Sequence, residues 1–304
     1  MSEDAFLEKL IARLPVSSPD IVIPPGDDCA GLRIEGGRIL LVAVDQIIGG
    51  RHYYLEGPCT PSPEQAGRKL LARNLSDIAA MGGHPQYFLV ACGLSPAHDE
   101  SWLERFFDGI LQLSGEFGVA MIGGDLAATP TDAVASLTIL GEVSEAQVCR
   151  RSGARPGDCL FVTGTFGRSL VTGWHLSFKP RCREGRWLVE RGFASAMIDA
   201  SDGLLIDAGR LCRASGVGLR LDTAAIPLRT PETSLEEALT DGEDYELLIA
   251  APHGKAGQLR QEWPFAELPL TLIGEFIASD SHTVLGPDGA PLAQGGKVGY
   301  DHFA

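Results

Sequence analysis

The sequence predicts a mixed α/β (α+β) protein of two domains, residues 1–148 and 149–304. Three observations carry this expectation. The chain of 304 residues can build two cores, and its 44% apolar and 21% charged content is an ordinary globular balance. Strand-like and helix-like apolar patterns occur on both sides of residues 144–157. That joint, which includes Arg150-Arg151-Ser152-Gly153-Ala154-Arg155-Pro156-Gly157-Asp158, is basic and turn-rich.

Taken in order, residues 3–14 read as a short helix with Phe6, Leu7, Leu10, Ile11 and Leu14 on one face. A loop follows to Gly26-Asp27-Asp28, where adjacent carboxylates repel unless a cation or donor lies between them. A simple surface turn is the alternative there. Gly36-Gly37 turns a hairpin into Ile39-Leu40-Leu41-Val42-Ala43-Val44. This strand lacks polar alternation, so both faces should be buried, and it ends at Asp45. Next comes a helix closing on Arg73-Asn74-Leu75-Ser76-Asp77-Ile78-Ala79-Ala80-Met81-Gly82-Gly83. Leu71, Leu75 and Ile78 recur at helical spacing, and Gly82-Gly83 with Pro85 stops it. Residues 87–93 form a strand, and 102–117 an amphipathic helix closed by Gly118. Val119-Ala120-Met121-Ile122 then delivers Gly123-Gly124-Asp125, and residues 137–143 complete the half as a strand.

In the second half, Cys159 to Thr163 is a strand, and Gly164-Thr165-Phe166-Gly167 is a turn opening a helix. It is not a Walker loop, since no Gly-Lys-Ser/Thr follows. Residues 179–191 are basic and have no assignable pattern. Met197-Ile198 delivers Asp199-Ala200-Ser201-Asp202-Gly203, where Ser201 or Asp202 can cap a helix over 203–215 that Gly216 ends. Two carboxylates three apart at such a turn can face one point. Thr240-Asp241-Gly242-Glu243-Asp244-Tyr245-Glu246 leads into a last clear strand, 247–250.

Composition narrows the partners. A net charge of −15 argues against nucleic acid or an anionic membrane, and suits divalent cations or a cationic substrate. No apolar run is long enough to span a membrane. The acidic start Met1-Ser2-Glu3-Asp4 lacks the basic and apolar regions of a signal peptide. Seven scattered cysteines without a Cys-x-x-Cys pair suit neither a disulfide framework nor zinc, so a reducing, cytoplasmic setting is expected.

Asp77 sits among Leu75, Ile78, Ala79, Ala80 and Met81, where a carboxylate stays ionised only if hydrogen-bonded or cation-bound. Either reading fits this residue alone. The pattern recurs, however: Asp28, Asp45, Asp77, Asp125, and Asp199 with Asp202, stand beside glycine or at the ends of apolar strands. Oxygen ligands without a Cys or His cluster fit magnesium. Several such ions would need polyphosphate oxygens, which points to phosphoryl transfer by positioning and charge neutralisation. Arg151 and Gly124 are candidate contacts to the phosphate chain.

Gly26-Asp27-Asp28, Asn74 to Gly82, Gly123-Gly124-Asp125, Arg151 to Asp158, Asp199 to Leu204 and Gly242 to Leu247 resemble the thiamine-monophosphate kinase family. The closing Gly299-Tyr300-Asp301-His302-Phe303 is similar to that family's tail, and the resemblance covers nearly the whole chain. It implies the aminoimidazole ribonucleotide synthetase-like fold, with an N-terminal α/β half dimerising through its sheet and a C-terminal α+β half covering the cleft. It further implies magnesium ligands at Asp28, Asp45, Asp77, Asp125, Asp199 and Asp202, with Asp77 touching more than one ion. ATP contacts follow at Gly124, Asp125, Arg151 and Ser201, and thiamine monophosphate contacts at His52, Glu243 and Tyr300. Asp77, Asp125 and Asp199 would be the catalytic set, in direct in-line transfer of the ATP γ-phosphoryl.

The chain departs from that pattern in places. Ala43-Val44 replaces hydroxyl residues before Asp45, leaving the Val44 carbonyl as the possible metal ligand there. Leu126 replaces a usual Thr, and Thr240-Asp241 a usual Ser-Gly. Selenophosphate synthetase is disfavoured because no reactive Cys precedes the first motif. The hydrogenase-maturation relative is disfavoured because its cysteine-bearing tail is missing. A non-catalytic magnesium-nucleotide-binding homologue is the alternative of a different class.

Overall fold

Two six-stranded sheets, one from each half of the chain, meet at a single long helix. The computed structural model describes residues 3–14, 18–57, 59–292 and 299. The first sheet comprises β1 (Ile21–Ile23), β2 (Ala30–Ile34), β3 (Arg38–Ile48), β4 (His84–Leu94), β5 (Ala120–Ala128) and β6 (Val134–Ser144). Their spatial order is β1-β2-β3-β6-β4-β5, antiparallel except for the β4–β5 pair. The second sheet comprises β7 (Cys159–Thr163), β8 (Ala196–Asp199), β9 (Gly218–Leu221), β10 (Leu247–Ala251), β11 (Leu270–Ile277) and β12 (Val284–Leu285). Its order is β12-β9-β11-β7-β10-β8.

The helices are α1 (Glu3–Ile11), α2 (Pro63–Ala80), α3 (Glu100–Phe117), α4 (Ser169–Thr172), α5 (Trp174–Ser177), α6 (Cys182–Glu190), α7 (Leu204–Ser215), α8 (Leu235–Thr240) and α9 (His253–Glu262). The central one is α2. Ser62 caps it in a reciprocal capping box with Gln65, and Pro63 opens it where no N–H partner is needed. Leu70, Leu71, Leu75 and Ile78 are fully buried, and the chain turns away at Gly82, whose φ of +67° favours glycine. α2 packs on β3, β4 and β6 of the first sheet, on α3, α5 and α6, and on β8 of the second sheet. Polar residues on α2 therefore lie at the junction of both halves.

Three expectations need correction. β3 does not end at Asp45 but runs to Ile48, and β5 continues past Asp125 to Ala128. A carboxylate stops a strand only if its main chain loses its partners. Instead the N–H of Asp45 finds Asn74 Oδ1 at 3.1 Å, and Asp125 stays in register with Ala91 of β4. The strand 39–44 is not buried on both faces. Ile39, Leu41 and Ala43 pack under α2, whereas Val44 is 66% exposed on a face that no described helix covers. In α1, Phe6, Leu7, Leu10 and Ile11, with Leu14 beyond it, are exposed.

Candidate active site

The carboxylates of Asp28, Asp77 and Asp199 converge, each offering an oxygen within 4.8 Å of the others. Three elements deliver them. Asp28 follows Gly26, which adopts φ +123°. Asp77 sits in the last turn of α2, and Asp199 ends β8, where it pairs in register with Leu247 of β10. Arg151 supplies the donors that Asp27 and Asp28 meet. Its main-chain N–H donates to Asp27 Oδ1 at 3.1 Å, and its guanidinium Nη2 to Asp28 Oδ1 at 2.8 Å.

Electrostatics mark the cluster as short of positive charge. Burial, then the charges of Asp45, Asp199 and Asp28, push the Asp77 carboxyl well above its ordinary range. Burial and Asp28 do the same to Asp199, although Ser76 Oγ donates to its Oδ2 at 2.6 Å. Asp27 is raised to about 6, mainly by burial and by Asp28. Asp28 Oδ2 is buried without a hydrogen-bond partner, and among the described residues no side-chain hydrogen bond reaches the Asp77 carboxylate. A helix cap or a buried donor therefore does not account for Asp77. Three facing carboxylates with unfilled oxygen lone pairs fit a hard divalent cation such as magnesium.

The remaining predicted ligands are not part of that three-carboxylate group, although Asp45 is the leading charge acting on Asp77. Asp45 is held by Arg73, with Nε–Oδ2 3.2 Å and Nη2–Oδ1 3.3 Å. Asp125 is exposed on β5 and lies outside the three-carboxylate group, and Val44 stands in register with Thr138 of β6. Asp202 does not share a point with Asp199, as its spacing suggested. Arg210, within α7, takes Asp202 Oδ2 at 2.5 Å and Asp207 Oδ1 at 2.8 Å. Nor does Ser201 or Asp202 cap α7. Gly203 occupies the cap, and Asp207 Oδ2 reaches back to the N–H groups of Asp202 and Gly203 at 3.0 and 3.2 Å.

For the nucleotide set, Arg151 stands at the cluster, and Gly124 needs to be glycine because a Cβ would lie 2.1 Å from the Val90 carbonyl oxygen. The Ser201 carbonyl accepts the Glu243 N–H at 2.7 Å. Of the acceptor-substrate set, His52 is buried with Nδ1 accepting the Ile48 N–H at 3.0 Å. Tyr300 lies outside the described residues. Glu243 faces Lys69 and His175, and Asp241 Oδ2 accepts the Arg168 N–H at 3.1 Å. Burial opposes ionisation of Glu243, but the Lys69 charge holds its carboxyl below the usual range.

Sequence reasoning missed Lys69, Arg73 and His175. For the first two a signal existed: Lys69, Arg73 and Asp77 stand four apart on a buried helix, which brings them to one side of it. His175, on the one-turn α5, had only the loose likeness of the stretch His175 to Pro180 to the family's His-Leu-Arg-Pro pattern.

Comparison with known proteins now bears on this geometry. Residues 26–143 match the family described as AIR synthase related protein, N-terminal domain, and residues 171–286 its C-terminal domain. The thiamine-monophosphate kinase of Escherichia coli O157:H7 is 34% identical, with 99% of this chain and 98% of that protein covered. The chain belongs to the thiamine-monophosphate kinase family. Its fold matches a solved structure of AaThiL complexed with AMPPCP and TMP at a TM-score of 0.83, with 27% identity and 99% and 97% of the two chains covered. Thiamine-monophosphate kinase from Stenotrophomonas maltophilia K279a superposes at 0.75, with 31% identity and 96% and 98% coverage. The family membership accords with the resemblance read from the motifs.

Proposed function

We propose that this protein transfers the γ-phosphoryl group of ATP to thiamine monophosphate, giving thiamine diphosphate and ADP. The observation that carries the reading is the Asp28–Asp77–Asp199 cluster in a chain aligned end to end with the kinase family. In this reading Asp28, Asp77 and Asp199 hold magnesium, and Asp45, Asp125, Asp202 and the Val44 carbonyl are the further ligands. Magnesium supplies neutralisation of the charge on the phosphate oxygens. Arg151, with Gly124, Asp125 and Ser201, orients the nucleotide, and His52, Glu243 and Tyr300 orient the acceptor. The acceptor's phosphate oxygen is already anionic, so no side chain is needed as a base and no covalent enzyme intermediate forms.

The test is turnover with ATP, magnesium and either thiamine monophosphate or thiamine. Thiamine diphosphate should form from the monophosphate while free thiamine is left untouched. ADP released without thiamine diphosphate, or equal use of thiamine, would overturn the reading.

The native form in this proposal is a homodimer joined through the first sheet. Val44, Tyr87 and Leu89 are exposed on the strands of that sheet, and so are Ile122 and Leu126 on its edge strand β5. An apolar sheet without a cover needs a partner. Light scattering at micromolar concentration should give twice the 32.3 kDa chain mass, and Leu89→Glu should shift it to the single-chain mass. A wild type at the single-chain mass refutes the dimer. We place the domain boundary at 148/149, since the first sheet ends at Ser144 and the second begins at Cys159. No described helix is long and apolar enough to cross a membrane, and the seven cysteines are all free, which supports a cytoplasmic setting.

A further inference from the structure

The inference below rests on the phosphotransfer reading and concerns the acceptor end of the same site. Lys69 lies within α2 with no exposed surface. Its ammonium has three acceptors: the His52 carbonyl, the Glu243 carboxylate, and His175 Nδ1 at 2.8 Å. Burial depresses its pKa to about 8, against the pull of Glu243. A buried cation needs partners, and any carboxylate could have served as one. The partners present are particular. His52 follows β3 in the first half, whereas Glu243 and His175 come from the second half. His52 and Glu243 are two residues that the family resemblance assigns to the acceptor. One ammonium therefore spans both sides of that part of the site.

The backbone around Glu243 makes the same point. Glu243 has φ +67° and Tyr245 φ +52°, two non-glycine residues in the left-handed region within three positions. Such strain persists where surrounding contacts over-determine it. Here the Glu243 N–H donates to the Ser201 carbonyl at 2.7 Å, and Ser169 Oγ donates to the Glu243 carbonyl at 2.6 Å. The Tyr245 N–H donates to the Ala200 carbonyl at 2.8 Å. These contacts fix the main chain, and Lys69 fixes the side chain. With Lys69 as an ammonium, which only donates, His175 Nδ1 accepts and the proton falls on Nε2, a buried atom with no partner among the described residues. His175 thus locks the third direction of the ammonium.

We propose that Lys69, steadied by His175, is a positioning residue that sets His52 and Glu243 at the separation needed to receive thiamine monophosphate. Steady-state kinetics of wild type, Lys69→Met, His175→Leu and His175→Gln test it, with each substrate varied in turn. Lys69→Met should raise KM for thiamine monophosphate at least about 10-fold, with KM for ATP within about twofold. His175→Leu should shift the same constant about threefold or more, and His175→Gln, whose amide oxygen can accept from Lys69, should restore it. A merely structural Lys69 predicts fewer active molecules, hence lower kcat with both KM values unchanged, and that result overturns the proposal. If Lys69→Met shows no cooperative melt, the His175 pair decides by the same criterion. A wild type that makes no thiamine diphosphate removes the phosphotransfer reading and this inference with it. A working wild type with unchanged variant KM values removes the inference alone.

Discussion

Asp77→Asn is expected to lower turnover at least about 100-fold while leaving the metal-free protein as stable as wild type or more so. The two effects come from one geometry. Asp77 faces Asp28 and Asp199, and no described side chain donates a hydrogen bond to it. Burial and its acidic neighbours raise its folded pKa above the ordinary carboxylate range. In the unfolded chain it ionises near 3.8, so the folded state holds the proton to higher pH and loses stability as pH rises above that value. The advantage of the variant in EDTA should therefore be absent near pH 3 and grow towards neutrality. With magnesium and a non-hydrolysable ATP analogue the order reverses. Wild type should gain about 2.7–4 kcal/mol at ligand concentrations ~100–1,000 times Kd, and the variant far less. Thermal melts in the two media check this. Destabilisation in EDTA together with an undiminished ligand shift would make Asp77 a scaffold residue.

That prediction could be framed from the sequence, because α2 and its ending were legible there. Leu71, Leu75 and Ile78 at helical spacing are buried as the pattern requires, and Gly82, Gly118 and Gly216 end their helices with positive φ. What the sequence hid were long-range partnerships. Nothing local shows that Arg73 and Asn74 hold Asp45 and so let β3 run on, or that Arg210 draws Asp202 away from Asp199. Apolar composition showed that residues 39–44 belong in a sheet, but burial of both faces depends on what lies opposite. Among the described residues one face meets α2 and no helix covers the other. α6 was masked by its own glycine. Gly185 weakens the helical pattern, yet a Cβ there would lie 2.1 Å from the Ala79 carbonyl oxygen, so α6 can approach α2 only with glycine at that point.

Close approach of helices also sets the second large effect. α2 and α3 cross at reciprocal glycines. A Cβ on Gly67 would sit 1.9 Å from the Phe106 carbonyl oxygen, and one on Gly109 would sit 1.9 Å from that of Glu64. Both obstacles are main chain, which cannot rotate aside, so Gly67→Ala must push α2 and α3 apart. Overpacking of this kind costs about 3 kcal/mol, and a fall in Tm of ~6 °C or more follows. The displaced helix carries Lys69, Arg73, Ser76 and Asp77, so activity should fall as well. A shift of about 1 Å at such groups can cost ~100-fold in rate. Gly115→Ala supplies the contrast on the same helix α3. Nothing lies within 4 Å of its new Cβ, and the residue is exposed. It should stabilise the protein by about 0.4–1 kcal/mol by restricting the unfolded chain, with turnover unchanged. If Gly67→Ala melts within a degree of wild type and keeps its rate, α2 is not held at van der Waals contact with α3. The placement of Asp77 would then have to come from the packing of α2 on the first sheet and on the second half.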